Sequence, residues 1–329
     1  MRKAASLAAL TALTYVIGVF GPGCNRAASN VKHIAIFQVK PQEWADALKL
    51  GFADGLHEQG LEVGRDVVVV TKSAAGDPLG VTTLAQTLVR EHYAVIYALG
   101  TQASQEIFQV ADNSQPLVFG AVTDPVQTGF YDGSLDKPRK NITGTQDLWP
   151  YPAQFDLIKA LVPGLNKLGI AYNSSEINSQ VSVGFIRREC TKRRIELLER
   201  TVTEDSQVSL AVAGVLDDGI QAFFIPADNT MQSNAQVVIA ACMKKRLPVF
   251  TGIPGIVENG AIGTVGTNYY ELGKVNAAQA AKILSGVPAR QIPVQIADKG
   301  DLYLNMASAK KLGLTVPDQL QKKAVKIYE

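Results

Sequence analysis

The sequence predicts an α/β fold of two doubly wound parallel-sheet lobes joined by a multi-strand hinge. Three observations predict it. Short apolar runs alternate with helical stretches from residue 33 onward, the second half repeats the grammar of the first, and further elements follow once that second half is complete.

His33–Gln38 reads as a short buried strand. Residues 42–59 carry Trp44, Leu48, Phe52 and Leu56 at i, i+4, i+8 and i+12, an apolar helical stripe that Gly60 closes and that assigns Trp44 to the core. Asp66–Lys72, with Val67 to Val70 in succession, is the second strand; Leu84–Glu91 lies in a helix, and Ala94–Leu99 is the third strand. Gln102–Val110 is helical, Leu117–Val122 is the fourth strand and Ile142–Gln146 a short fifth.

In the second half, Leu168–Tyr172 is a strand, Gln180–Lys192 a helix, and Ile195–Thr203 runs into a strand. Ser209–Gly214 begins a helix, Ala222–Ile225 is a strand, Ser233–Arg246 a helix, and Pro248–Thr251 and Ala261–Val265 are strands. Tyr93–Thr101 matches Ile220–Asp228 as a buried strand ending in a polar helix cap, and Pro116–Gly120 matches Pro248–Gly252. Each half therefore takes the strand order 2-1-3-4-5. After Val265 come an amphipathic helix, Leu272–Leu284, extended pieces at Ile292–Ile296 and Leu302–Leu304, and a helix opening at Ala307–Leu312. The chain is thus expected to cross back, with residues 31–146 plus about 268–297 in the N-terminal lobe and 147–267 plus about 298–329 in the C-terminal lobe.

The 329 residues hold 32 Lys+Arg against 30 Asp+Glu, and Arg2 and Lys3 are the only charges before Arg26. From Cys24 onward the count is 30 against 30. A neutral body argues against a nucleic-acid binder, which needs a basic face to displace counterions, and against a polybasic membrane-surface protein. Arg2-Lys3, the uncharged stretch Ala4–Phe20 and Gly21-Pro22-Gly23-Cys24 follow the order of a secretory signal, with Asn25–Asn30 as a polar tether. The small residues before Cys24 resemble a bacterial lipobox, which would lipidate Cys24 and hold an exported protein to a membrane. A transmembrane anchor is the competing reading of that stretch, near the lower length limit for a span.

The enzyme motifs are missing: there is no G-x-S-x-G elbow, no G-x-x-x-x-G-K-[ST] loop, and no strand followed by G-x-G-x-x-G. His33 starts a strand, His57 sits on a helix face and His92 precedes a strand, each without a neighbouring nucleophile. Three His and three Cys in no ligand spacing predict no metal site, and no cofactor is expected. The basic run Arg187–Arg194 reads as a solvated helix face.

What is concentrated instead is small polar residues at the carboxyl ends of the strands, where ligands bind in open α/β sheets. They are Gln38, Thr101-Gln102-Ala103-Ser104, Thr123-Asp124 and Thr145-Gln146-Asp147 in the first half, and Asn173-Ser174-Ser175, Asp228-Asn229-Thr230 and Thr267-Asn268 in the second. Each group also reads as a helix N-cap; the collective placement argues for a cleft. The candidate ligand-binding residues are Gln38, Thr101, Gln102, Thr123, Asp124, Thr145, Asn173, Ser174, Asp228, Asn229 and Asn268. Helix N-termini suit a ligand carboxylate, and Asp228 is the expected partner of a ligand ammonium, so that Asp228→Ala should cost affinity and spare the fold. Trp149 is the better candidate for stacking on a ligand.

Phe119–Val126 with Gly129 and Asn141-Ile142-Thr143-Gly144 resembles the V-T-D-P…G…N-x-T-G signature of the ABC-transporter substrate-binding proteins that include tryptophan-, tyrosine- and phenylalanine-binding members. So do Leu161–Gly164, Ala171-Tyr172-Asn173, Pro226–Thr230, Pro248-Val249-Phe250, Asn305-Met306-Ala307 and Lys311-Leu312-Gly313, in order over residues 31–328. The resemblance implies a periplasmic-binding-protein type I fold with three crossovers, closing on one small ligand and delivering it to a membrane permease driven by an ATPase. It places Thr101, Thr123-Asp124, Asn173-Ser174 and Asp228-Asn229 in the cleft. The loop Gln38–Trp44 departs from the family in lacking a His-Pro and a downstream Asp.

The expectation is thus a monomeric, exported solute-binding component of an ABC importer, taking an amino acid, aromatic ones included, or a similar small polar ligand. A sensory module signalling to a membrane receptor uses the same clamshell and stays open as an alternative, as does an exported enzyme. The strand order also addresses the two cysteines of the body. Cys190 follows the first strand of the second lobe and Cys242 the third, so right-handed crossovers set them on opposite sheet faces. Layers pack ~10 Å apart and a disulfide needs Cα atoms within ~7 Å, which predicts two free thiols.

Overall fold

Apolar runs between polar turns form the strands, and the stretches with helical periodicity pack across them. The computed structural model describes residues 31–297 and 299–329; the leader, Cys24 and the tether lie outside the described residues. The first lobe opens with β1 (Lys32–Gln38), α1 (Glu43–Glu58), β2 (Val67–Ser73), α2 (Pro78–Arg90), β3 (Val95–Leu99), α3 (Gly100–Val110), β4 (Leu117–Val122) and β5 (Ile142–Gln146). The second follows as α4 (Tyr151–Leu161), β6 (Lys167–Asn173), α5 (Ile177–Arg193), β7 (Glu196–Val202), α6 (Val208–Asp217) and β8 (Ala222–Ile225). It continues through α7 (Asn229–Ser233), α8 (Ala235–Lys244), β9 (Val249–Thr251), α9 (Pro254–Glu258) and β10 (Gly263–Gly266). Helix α10 (Tyr269–Leu284) and β11 (Gln295–Ile296) return to the first lobe; β12 (Asp301–Asn305), α11 (Met306–Leu312), α12 (Asp318–Lys323) and β13 (Lys326–Tyr328) end in the second.

The sheets run β11-β5-β4-β3-β1-β2 and β13-β12-β10-β9-β8-β6-β7, so both contain the order 2-1-3-4-5. Pairing is parallel except between β10 and β12. The order turns back at β1/β3 and β6/β8, and such reversals open crevices at the carboxyl ends of the strands.

Two packing features position the cleft. Leu48, Phe52 and Leu56 of the α1 stripe are fully buried, each burial contributing roughly 1.5–3 kcal/mol, and Phe52 stacks on Tyr97 at 4.4 Å. Trp44, expected in that core, packs against its edge but is only half-buried, because it stands in the first turn of α1 where the helix opens onto the cleft. Helices α1 and α10 also approach closely. A Cβ on Gly51 would lie 1.9 Å from the carbonyl oxygen of Tyr270, so glycine alone permits the contact. The approach brings the Trp44 and Tyr269 rings to 5.9 Å.

Cys190 on α5 and Cys242 on α8 are free and buried. Helix α5 packs on α4 while α8 packs on α6, as expected for opposite faces of the second sheet. Burial pushes both thiols up to about 12. The basic run is not wholly solvated: Arg187 pairs with Glu199 at 2.6 Å, but the Arg193 side chain is only 11% exposed, lies over Phe155 and reaches Asp156 at 2.7 Å. His33, His57 and His92 are all exposed.

Candidate functional site

The carboxyl ends of the two sheets face each other across a narrow cavity. Trp44, Thr101, Thr123 and Tyr269 line it from the first lobe and Asn178, Ala227, Asn229, Gln232 and Ile253 from the second, with Asp147 and Trp149 at the crossover between them. Three aromatic side chains and a few polar groups converging on one cleft between the sheets make a site for a small molecule.

One end of the cavity is the start of α3. Its N-cap is Leu99, which offers no side-chain acceptor, so the first-turn N–H groups have no side-chain partner. Gly100 holds φ at 81°, a left-handed conformation that admits glycine without strain. A Cβ there would also come within 2.9 Å of the Trp44 ring. Thr101 Oγ1 accepts the Thr123 N–H at 3.3 Å, leaving its own O–H to donate. Hydroxyls and free helix-end N–H groups together suit an anion.

Opposite chemistry comes from Asp147, just beyond β5. Its backbone N–H bonds Val122 O at 2.8 Å, fixing it beside β4. Thr267 Oγ1 donates to Oδ1 at 2.6 Å and Tyr269 Oη to Oδ2 at 2.7 Å, while Trp149 Nε1 donates to Tyr269 Oη at 3.2 Å. Burial holds the Asp147 pKa above the usual carboxylate range, opposed by these O–H and indole donors. No cation pairs with Asp147 among the described residues, yet it borders the cavity. A carboxylate accepts about four hydrogen bonds, so it retains capacity for an ammonium.

The start of α7 is finished internally. Asp228 Oδ1 accepts the Met231 N–H at 2.7 Å, and Oδ2 accepts the Asn173 N–H at 2.5 Å and Ser179 Oγ at 2.6 Å. Glu176 accepts from the Asn229 and Thr230 N–H groups at 2.8 and 3.1 Å. Burial, with the neighbouring Glu176 charge, pushes Asp228 up to about 7 against those hydrogen bonds. Asp228 is 0% exposed and stands behind the cavity wall. Asp228 was expected to pair with a ligand ammonium; in this structure its oxygens accept from N–H and O–H groups of the fold, and Asp147 is the carboxylate that borders the cavity.

Of the candidates, Thr101, Thr123 and Asn229 line the cavity. Gln38, Gln102 and Asn229 line a smaller adjoining recess, where Gln38 Oε1 accepts from Lys49 at 3.2 Å. The others stand elsewhere. Asp124 caps the next turn through Val126 and Gln127, Thr145 links Ala121 to Asn276, and Asn173 bonds Thr230. Ser174 is exposed, and Asn268 caps α10. Trp149, the stacking candidate, lines the cavity, and so does Trp44, which the apolar stripe had placed in the core; Tyr269, Asn178, Gln232 and Ile253 were not anticipated there. Tyr269 sits one residue beyond a recognised cap, and Asp147 within a recognised strand end, so both were within reach; Asn178 and Gln232 lie inside helices and carry no such signal.

Fold and site define a two-lobed ligand-binding protein with a small, aromatic-lined chamber between the sheets. The family described as ABC transporter substrate binding protein matches residues 33–328. The chain belongs to that family, one of solute-binding proteins and not of enzymes. It is 29% identical over 283 residues to a tyrosine-binding protein of Clostridioides difficile (strain R20291), covering 86% of this chain and 81% of that one. It also resembles a Streptococcus pneumoniae ABC domain in complex with L-Trp, with TM-score 0.86, 26% identity, and coverage of 90% and 99%. A ligand-free, open substrate-binding protein with adhesive properties from Clostridium difficile matches with TM-score 0.69, 28% identity, and coverage of 91% and 99%.

Proposed function

We propose that this chain is the extracytoplasmic solute-binding component of an ABC importer and that its ligand is an aromatic amino acid. The ligand carboxylate lies at the start of α3 with the hydroxyls of Thr101 and Thr123, the ammonium on Asp147, and the side chain among Trp44, Trp149 and Tyr269. The observation that carries this reading is the pairing, in one chamber, of an uncapped helix start with a buried carboxylate that no cation neutralises. In a closed cleft each charge-assisted hydrogen bond contributes ~1.5–3 kcal/mol, far above its worth in water.

The relatives support the ligand class, one being named for tyrosine and another holding L-Trp. The higher TM-score to the L-Trp complex, at nearly the same identity as the open protein, supports lobes that close. A monomer held to the outer face of the membrane through Cys24, passing ligand to a permease and its ATPase, completes the proposal. None of the described helices is long and apolar enough to cross a membrane.

The test is isothermal titration calorimetry of the leaderless protein, unfolded and refolded to strip any trapped ligand, against the twenty amino acids. Saturable binding of L-tyrosine, L-tryptophan or L-phenylalanine at micromolar concentration or below is expected. Binding of none of the three removes the proposed ligand class.

A further inference from the structure

We propose that Glu43 and Gly255 form a latch that holds the two lobes closed and keeps Trp44 seated over the chamber, a proposal that rests on reading the cleft as the ligand site. Residues 40–44 leave β1 and start α1 in the first lobe, yet they reach across the cleft repeatedly. Lys40 Nζ lies 3.5 Å from Asp205 Oδ1, and Gln42 Nε2 donates to Ser233 Oγ at 3.4 Å. Asn259 Nδ2 donates to Glu43 Oε1 at 2.9 Å.

The other oxygen of Glu43 rests against the backbone of α9. A Cβ on Gly255 would lie 2.0 Å from Glu43 Oε2 and 3.1 Å from its carboxyl carbon. The space that Gly255 leaves empty is the space the carboxylate fills. Because that carboxylate ends a flexible side chain, a methyl group there would expel it and break the Asn259 bond without disturbing either lobe. The residue after Glu43 is Trp44, and the residue two before Gly255 is Ile253. Both border the chamber and the two grooves outside it. Fastening Glu43 to α9 therefore sets Trp44 opposite Ile253, between the chamber and solvent.

The geometry requires Gly255→Ala and Glu43→Ala to act through one contact. The readout is the ratio of closed to open molecules, from pulsed electron-resonance distances between spin labels at Leu79→Cys and Leu210→Cys in a Cys24→Ser chain, without ligand and with L-tyrosine or L-tryptophan. Leu79 and Leu210 are 83% and 80% exposed, one on each lobe, and Cys190 and Cys242 are buried. Either substitution is expected to lower the ratio about three- to tenfold, and the double variant to fall no further, since neighbours sharing one interaction are non-additive. Asn259→Ala, at an exposed position, repeats the test should Gly255→Ala fail to fold. Multiplying effects in the double variant, or the same ratio in all proteins, overturns the latch. Failure to bind either amino acid while the ratios still shift sinks the ligand assignment and leaves the latch standing.

Discussion

Two helices begin at the chamber with the same sequence grammar, a buried strand followed by polar residues, and they do opposite things. At α3 the cap position is apolar and the first-turn N–H groups have no side-chain partner. At α7 Asp228 and Glu176 bond the Asn229, Thr230 and Met231 N–H groups. The two aspartates differ likewise. Asp147 receives two hydroxyl donors and borders the cavity, whereas Asp228 receives two backbone N–H groups and a hydroxyl behind its wall. Hydrogen-bonding capacity that opens onto the cavity marks a ligand group; capacity taken up behind its wall marks a structural one.

The largest expected effect breaks that comparison at Asp147. Asp147→Asn removes the charge but keeps an acceptor for Thr267 or Tyr269, and the buried carboxylate it replaces is unfavourable without a cation. Affinity for the amino acid that titrates best should fall about 100-fold or more, the scale for truncating one side of a desolvated charge pair. The melting temperature of the ligand-free protein should hold or rise. Undiminished affinity in calorimetry would return the ammonium site to other residues.

Asp228→Ala should show the reverse pattern. Three donors lose their acceptor, a cost of about 2–4 kcal/mol in urea unfolding, while affinity changes less than in Asp147→Asn. The pH dependence has a definite sign. Because the folded-state pKa is raised from 3.8 to about 7, the folded protein holds this proton more tightly than the unfolded chain. That stabilisation is fully present below pH 3.8 and is lost as pH rises through about 7. The wild-type stability profile should carry this falling component and the Asp228→Ala profile should lack it; identical slopes would contradict the burial argument.

The fold was legible because strand order follows from alternation and right-handed crossovers, which need no side-chain detail. The short α7 and α9 were not: the sequence reading starts a helix only at Ser233, the last residue of α7, whereas Asn234 is the C-cap of α7 and the N-cap of a separate α8. The site was legible to the level of strand ends. Sequence places Thr101 and Asp228 alike at such ends, but which of them keeps a free donor or acceptor depends on Ser179 and Glu176, 49 and 53 residues away from their partners. Trp44 was assigned to the core because a periodic stripe cannot show where the neighbouring layer stops.

The smallest expected effect sharpens the same contrast at the helix starts themselves. Asp228 precedes α7 with φ at −142°, extended backbone open to any residue. Gly100 opens α3 at φ 81° with the Trp44 ring against its Cα. Gly100→Ala therefore meets two costs that no residue at α7 faces: about 1 kcal/mol for a left-handed alanine, and displacement of a ring that walls the chamber. Urea stability should drop by roughly 1–2 kcal/mol, with amino-acid affinity weakened about tenfold. Adding Trp44→Ala removes the ring contact and should leave only the backbone cost of Gly100→Ala. If Gly100→Ala is as costly to stability without the ring as with it, Trp44 does not rest on this helix start, and the packing that shapes the chamber is other than described.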